Sequence, residues 1–119
     1  MPTKVNIPSA FARQLRKLAK KYPAVVKEFE GLSEQLQADE RLGDKVPGVG
    51  HDVYKARLPN PSAGRGKSGG FRVIYYVQLA DVVLMLTIYA KTQQTDVSPQ
   101  EIRALLDDAL KAFDEDDAT

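Results

Sequence analysis

The sequence predicts a single α+β domain of order β-α-α-β-β-β-α, with an antiparallel sheet, an N-terminal helical hairpin and a C-terminal helix. Apolar residues recur at helical spacing near both ends of the 119-residue chain, whereas the middle changes to the two-residue period of strands. Short connections join the middle strands and favour antiparallel neighbours. The domain is assigned to residues 1–113, and the acidic tail at 114–119 is predicted to be disordered.

The N-terminal third is predicted to form a short strand followed by the helical hairpin. Residues 4–7 alternate as a strand does and stop at Pro8, and Ser9 is predicted to be the N-cap of the first helix. After a short link, Pro23 is predicted to lie in the first turn of the second helix. The apolar residues at helical spacing are Phe11, Leu15 and Leu18, and then Val25, Phe29, Leu32 and Leu36.

Three strands and one helix are predicted after a glycine-rich loop. Alternating, β-branched and aromatic residues place the strands at residues 52–58, 71–79 and 82–91. Strict alternation in the last strand puts Leu86 and Ile88 on one face and Tyr89 on the other. The Ser-Pro-Gln-Glu segment at residues 98–101 has the pattern of a capping box, which predicts the start of the final helix.

Composition excludes several kinds of site. The chain has no cysteine, which excludes disulfides, thiolate catalysis and cysteine-bound zinc. The single histidine, His51, provides no metal cluster, so neither a metal nor another cofactor is expected. The longest near-continuous apolar run has nine residues, against about 20 needed to span a bilayer, and the N-terminus lacks an apolar signal core. A cytoplasmic protein is therefore expected.

The Gly66-Lys67-Ser68 segment looks like the end of a phosphate-binding P-loop but does not fit the rest of that motif. Five positions before Gly66 the chain has Pro61 where the motif requires glycine. The segment also joins two predicted strands, whereas a P-loop leads from a strand into a helix. Nucleotide binding of the P-loop type is therefore not predicted.

A net charge of +1 conceals strong segregation of charge along the chain. Residues 1–21 carry six basic and no acidic groups, and residues 55–95 carry six basic groups against one acidic group. Residues 22–54 and 96–119 have net charges of −4 and −6. The basic middle block indicates a site for an anion such as phosphate, although these charges could equally form a solvated surface that pairs with the acidic blocks.

Four cations can meet at one end of the predicted meander, because two share a strand face and the others begin or end the following strands: Lys55, Arg57, Arg72 and Lys91. Three tyrosines on the neighbouring strands can either offer a ring for base stacking or belong to the core: Tyr75, Tyr76 and Tyr89. The alternative for the cations is that they are scattered and solvated.

Such a cation cluster can act on RNA without histidine or paired carboxylates. The ribose 2′-hydroxyl attacks its own 3′-phosphate if a base takes its proton and a donor stabilises the phosphorane. The fixed fork of arginine donors suits the second role. A lysine crowded by other cations has its pKa lowered from about 10.4 toward the range useful for a base. The same cluster would also bind RNA without cutting it.

Three segments together form a specific pattern: VYKARL at residues 53–58, GRGKSGGFRVIYY at 64–76 and LTIYAK at 86–91. They resemble the RelE/ParE toxin superfamily, and most closely its HigB-type branch with a glycine-rich GKxGGxR loop. The resemblance spans residues 50 to about 105, and the β-α-α start agrees with it. Members are bacterial toxins of type II toxin–antitoxin modules. RelE and HigB types cut mRNA on the translating ribosome, whereas ParE types poison DNA gyrase.

The resemblance implies a RelE-like fold and a ribosome-dependent endoribonuclease that inhibits translation by cutting mRNA in the ribosomal A site. It implies catalytic roles for four residues and RNA contacts for three more: Lys55, Arg57, Arg72 and Lys91, then Arg65, Lys67 and Tyr89. Where the RelE pattern has a tyrosine after the last strand, this chain has Ser98, so a base or acid would come from a lysine (Lys55, Lys67 or Lys91) or from ribosomal RNA.

Two alternatives to the endonuclease are a gyrase-binding toxin that cleaves nothing and an inactive RelE-like binding module. The four cations favour the endonuclease, since a gyrase poison has no need of a phosphorane clamp. Lys55 and Arg72 are both expected to be exposed, so that alanine there changes the free energy of unfolding by less than about 0.5 kcal/mol.

The expected protein partner is a cognate antitoxin with an acidic segment. It would be attracted by the basic block at residues 55–95 and by the basic face of the first helix. That face carries Arg13, Arg16, Lys17 and Lys20. Bulk alone would then keep the toxin out of the ribosomal A site.

Overall fold

The structure, a computed structural model, describes residues 3–60, 70–78, 81–93 and 96–117, with side chains up to residue 113. Within these ranges it has five strands and three helices. In chain order they are β1 (Lys4–Asn6), α1 (Ser9–Lys21), α2 (Ala24–Gln37), β2 (Asp44–Lys45), β3 (Val53–Leu58), β4 (Phe71–Gln78), β5 (Val82–Ala90) and α3 (Pro99–Asp117). The mixed α+β class is confirmed, but the order contains one strand more than predicted, the two-residue β2.

The strands form one sheet in the order β1-β5-β4-β3-β2. The pairs from β2 to β5 are antiparallel, whereas β1 runs parallel to β5. The prediction of a wholly antiparallel sheet is therefore wrong at this edge. Short connections fix the direction only of strands that follow each other directly, and β1 reaches its partner after the whole helical hairpin and three further strands.

Two layers of helix cover the two faces of the sheet. The α1–α2 hairpin packs on one face, where Phe11 and Phe29 meet sheet residues such as Phe71 in one buried cluster. Helix α3 packs on the other face, where Ile102 and Leu106 contribute to a second buried cluster with strand residues. Burying an apolar side chain contributes about 1.5–3 kcal/mol, so these two clusters hold the helices on the sheet.

An extra residue in β5 reverses the alternation of its side chains. The pairing with β4 skips Leu86, between the partners of Ile74 and Tyr75. Leu86 packs in the α3 cluster, but Ile88, two residues later, packs in the hairpin cluster, and Tyr89 returns to the α3 side. The predicted strict alternation is therefore wrong, because this bulge changes the face of every residue that follows it.

The predicted capping box at the start of α3 is confirmed. The Glu101 N–H donates to Ser98 Oγ at 3.1 Å, and the Ser98 N–H donates to Glu101 Oε1 at 3.5 Å. The predicted cap of α1 is wrong: Ser9 is the first helical residue and Pro8 precedes the helix, with no side-chain cap. The cause is that the Pro8 carbonyl already accepts the first helical hydrogen bond.

Helix α3 continues to Asp117, four residues beyond the predicted end of the domain at residue 113. The domain boundary itself stays a prediction. Among the described residues, no helix combines the length and the apolar character that crossing a bilayer requires.

Candidate functional site

Three of the four predicted cations lie on the α3 side of the sheet. Lys55 and Arg57 share the face of Val53, which belongs to the α3 cluster. Arg57 pairs with Arg72 across β3 and β4, and Arg72 pairs with Tyr89 across β4 and β5. Arg57, Arg72 and Tyr89 therefore form one line across three strands, called the cross-strand row here. Arg57 is exposed, which leaves this end of the face open to solvent.

Arg72 is buried, with only 6% of its surface exposed. The prediction that it is exposed is therefore wrong, because β4 is an inner strand whose neighbours place Arg57 and Tyr89 beside it. Burial, and then the positive charge of Arg57, lower the pKa of the Arg72 guanidinium, which nevertheless stays charged. A charge with so little water around it interacts more strongly with an incoming anion than a solvated one does.

The segment after β5 brings a carboxylate to the cations. Lys55 Nζ donates to Asp96 Oδ1 at 3.2 Å, and the Val97 N–H donates to the same oxygen at 2.8 Å. The Val97 N–H, followed by Lys55, holds the pKa of Asp96 below its ordinary value, and the charge of Lys91 acts in the same direction. Asp96 is therefore ionised at neutral pH, and Lys91, which is half-buried, lies within electrostatic reach of it.

Sequence reasoning missed Asp96 because this residue begins the acidic block at residues 96–119 and lies just outside the basic block at residues 55–95. The available signal was an isolated acidic residue in the short segment between the last strand and the capping box. Two other predicted residues, Arg65 and Lys67, lie outside the described part of the chain. Their assignment as RNA contacts stays a prediction.

Tyr89 lies at one end of the cross-strand row and contributes a buried hydroxyl, not an exposed ring. The residue is 6% exposed, so its ring offers no free face for base stacking. Its Oη is buried without a hydrogen-bond partner among the described residues. Burial, and then the negative charge of Asp96, raise the pKa of Tyr89, although Arg72 opposes this shift. The hydroxyl therefore keeps its proton and remains a donor that an anion beside Arg72 could accept from.

The other tyrosines are less suited to RNA contact. Tyr75 is fully buried on the hairpin side and stacks on Tyr54, with ring centres 5.5 Å apart. Its hydroxyl donates to the Leu42 carbonyl at 2.6 Å, so both rings belong to the core. Tyr76 is half-buried against the α3 cluster.

Replacing Tyr89 with phenylalanine should raise the free energy of unfolding by about 1 kcal/mol, because it removes a buried hydroxyl without a partner. Tyr75→Phe is the matched control. It removes a hydroxyl that donates to Leu42 at 2.6 Å and should lower the free energy of unfolding by about as much. Denaturant unfolding of both variants measures the difference. Equal destabilisation by the two substitutions would show that Tyr89 Oη is satisfied in the folded protein.

The site combines an exposed cation, a buried cation and a neutral hydroxyl donor in line, with the Lys55–Asp96 pair beside them. Preorganised donors held side by side are the kind of arrangement that stabilises the negative charge of a trigonal-bipyramidal phosphate. Arg57 and Arg72 supply planar forks of N–H groups that match phosphate oxygens. The chemistry that this arrangement suits best is therefore binding, or transfer, of a phosphodiester.

Comparison with known proteins identifies the family. A family model described as the RelE toxin of the RelE/RelB toxin–antitoxin system matches residues 11–118. Among solved structures, a free-state mutant of the E. coli toxin RelE has a similar fold, with a TM-score of 0.54 and 18% identity, covering 93% of this chain and 97% of that chain. At that identity the structural likeness shows the fold alone, whereas the family model spans most of the sequence. The chain belongs to the RelE toxin family.

Proposed function

We propose that the protein is a ribosome-dependent mRNA endonuclease of the HigB-type branch, acting as the toxin of a type II toxin–antitoxin module. The observation that carries the proposal is the cross-strand row, in which the buried Arg72 lies between Arg57 and the Tyr89 hydroxyl. Family membership supports the toxin role and implies a cognate antitoxin. Such a toxin acts in the cytoplasm, where ribosomes translate mRNA.

In the proposed reaction the ribose 2′-oxygen attacks the adjacent phosphorus and the 5′-oxygen of the next nucleotide leaves. The 2′-hydroxyl loses its proton to a base, and the leaving oxygen takes up a proton. Arg72 stabilises the charge that develops on the phosphorane oxygens, and Arg57 holds a neighbouring oxygen at the open end of the row. Because the role requires two preorganised donors, the fixed guanidinium forks suit it better than mobile lysines.

The base and the acid are not assigned to a single residue. Lys55 forms a salt bridge with Asp96 at 3.2 Å, and this contact favours phosphate binding by Lys55 over proton abstraction. Lys91, Lys67 and a group of the ribosomal RNA are the other candidates. A requirement for the ribosome would follow directly if the ribosomal RNA supplied or positioned the missing group.

Two other functions remain as alternatives: a gyrase-binding toxin without nuclease activity, and an inactive RelE-like binding module. The position of Arg72 between Arg57 and Tyr89 favours the nuclease, because a poorly solvated guanidinium interacts strongly with a phosphate oxygen. A protein contact with gyrase would need exposed side chains instead.

Induced expression followed by mapping of mRNA ends tests the proposal. We expect growth arrest and cuts phased with codons, confined to translated messages. DNA damage without mRNA cuts would select the gyrase alternative, and neither arrest nor cuts would select the inactive module. Purified toxin that cuts free RNA as fast as ribosome-bound mRNA would remove the ribosome from the mechanism.

Lys55→Ala should abolish toxicity, whereas Lys45→Ala should not. The two lysines are matched, since each forms one surface ion pair, Lys55 with Asp96 at 3.2 Å and Lys45 with Asp52 at 2.8 Å. Such pairs contribute about 0–1 kcal/mol, so both variants should remain folded. Growth arrest under induced expression is the measurement, with thermal unfolding as the check on folding. If both variants remain as toxic as the wild type, Lys55 does not belong to the site.

A further inference from the structure

The site borders a groove between α1 and β5 whose charged residues are all basic. The groove has a volume of about 470 Å³, within the range of about 300–1,000 Å³ typical of ligand sites. Its walls are Gln14, Lys17, Leu18 and Lys21 of α1, Ile88 and Tyr89 of β5, and Gln93 of the following turn. The proposed reaction assigns no role to the α1 residues or to Gln93.

The polar groups of the groove are suited to an anion. Lys17 and Lys21 are exposed and one helical turn apart, and neither has an ion-pair partner within the described part of the chain. The Lys21 ammonium lies 5.4 Å from the ring centre of the neighbouring Tyr22, a cation–π contact that does not neutralise its charge. Gln14 accepts from the Thr87 hydroxyl at 3.2 Å through its amide oxygen, so its NH₂ group remains as a donor.

The Gln14–Thr87 contact divides this groove from a second one of opposite character. The second groove lies between β5 and α3 and has Glu101 and Asp108 in its lining, with no basic residue. An anion is therefore attracted to one side of the contact and repelled from the other. Of the two grooves, a chain of phosphates that passes this contact is therefore favoured to follow the basic one.

Tyr89 connects the basic groove to the cross-strand row. It lines the groove and pairs with Arg72 in the register of the sheet. Tyr89 is therefore the shared boundary at which a strand with one phosphate at Arg72 would pass from the α3 face, around the edge of β5, to Lys17 and Lys21. An acidic protein segment would match the charge as well, but this continuity with the phosphate site favours RNA.

We propose that the α1–β5 groove, through Lys17 and Lys21, binds the backbone phosphates of the message strand next to the phosphate held at Arg72. The proposal rests on the proposed function and extends it to a second subsite. The groove acts on affinity and not on the chemical step, because its cations lie outside the cross-strand row.

The test compares two double variants of the same helix. Lys17→Ala/Lys21→Ala removes the groove cations, and Arg16→Ala/Lys20→Ala removes two exposed cations that do not line the groove. Both pairs are spaced by one helical turn and lose one charge from the last turn of α1. Binding of a 12-nucleotide 2′-O-methyl RNA, which cannot be cut, is followed by fluorescence anisotropy over a range of salt concentrations.

We expect the groove variant to bind this RNA about 10-fold more weakly and to lose about 1.4 from the magnitude of its salt slope, as for two phosphate contacts on a single strand. Its KM for ribosome-bound mRNA should rise while kcat is unchanged. The control variant should stay within about twofold of the wild type, since it removes no direct phosphate contact.

Equal weakening of both variants, no weakening of either, or wild-type binding too weak to give a salt slope would each overturn the proposal. Loss of ribosome binding with unchanged RNA binding would assign the groove to ribosomal RNA, and loss of antitoxin binding alone would assign it to the antitoxin. Either result contradicts a message-strand subsite. Absence of cleavage by the wild type overturns the proposed function instead, whatever the two variants bind.

Discussion

Arg72→Ala should reduce cleavage of ribosome-bound mRNA by a factor of about 10²–10³, the loss measured when one preorganised donor to a transition state is removed. The effect is large because Arg72 is 6% exposed, and a guanidinium in so poorly solvated a position interacts strongly with developing negative charge. Single-turnover cleavage at saturating toxin measures it, since this isolates the chemical step from binding. Arg72→Lys keeps the charge but loses the planar fork, and should fall between alanine and the wild type.

The control for Arg72 is Arg103→Ala, which removes an exposed arginine of α3 that donates to the Gly48 carbonyl at 2.6 Å. It should leave cleavage within about twofold of the wild type, as surface changes away from a site do. Arg72→Ala removes the packing of a buried side chain and its hydrogen bond to the Phe71 carbonyl at 3.3 Å, and this loss outweighs the relief from the charge of Arg57. It should lower the free energy of unfolding by about 1 kcal/mol and leave the protein folded. Full activity of a folded Arg72→Ala protein would exclude the cross-strand row as the catalytic site.

Gly43→Ala should lower the free energy of unfolding by about 3 kcal/mol or more, through backbone strain and a clash. Gly43 has φ +85°, a region that favours glycine. A Cβ there would meet the backbone carbonyl of Lys55, with the carbonyl carbon at 2.6 Å and Ala56 Cα at 2.8 Å. These are backbone atoms of β3, so relief requires β3 to move, and Lys55 would move with it.

Gly31→Ala is the control for this substitution. It lies inside α2, and an added Cβ would have no atom within 4 Å. Alanine there should raise the free energy of unfolding by about 0.5–1 kcal/mol, because glycine is a poor helix former. Chemical denaturation of both variants gives the comparison. A Gly43→Ala protein as stable as the wild type would mean that the β2–β3 contact is looser than described.

Two features of the cross-strand row oppose folding of the free protein. Arg57 and Arg72 are like charges in direct register, and Tyr89 carries a buried hydroxyl without a described partner. A phosphate bound between them would neutralise the repulsion and accept the hydroxyl. Residues that break the usual rules of stability often mark function, and here both departures are relieved by the same ligand.

Local patterns predicted the elements well because their causes are local. The capping box at residues 98–101 and the apolar stripes of the helices depend only on neighbours in sequence, and the structure confirms them. The parallel pairing of β1 with β5 could not be predicted in this way, since no short connection links the two strands. The convergence of Lys55, Arg57 and Arg72 followed from the two-residue period and the order of the strands, both of which can be predicted from the sequence.

The burial and contacts of those side chains could not be predicted from local sequence patterns. The burial of Arg72 depends on which residues lie beside it on two neighbouring strands, and the contact of Lys55 with Asp96 joins positions 41 residues apart. The face of Tyr89 depends on a mismatch between two strands, which neither strand shows alone. The register between neighbouring strands is therefore what local sequence patterns could not predict.

Because Leu86 is an extra residue in the pairing with β4, the face on which each later residue of β5 lies depends on how many residues precede it. A substitution in this strand changes one side chain, but an insertion or deletion there would exchange the faces of all residues that follow, Tyr89 among them. The position of Tyr89 in the site thus depends on the number of residues that precede it in β5, and not only on their identity. Among relatives of this chain, the spacing from the core of β5 to its last tyrosine should be as restricted as the arginines themselves.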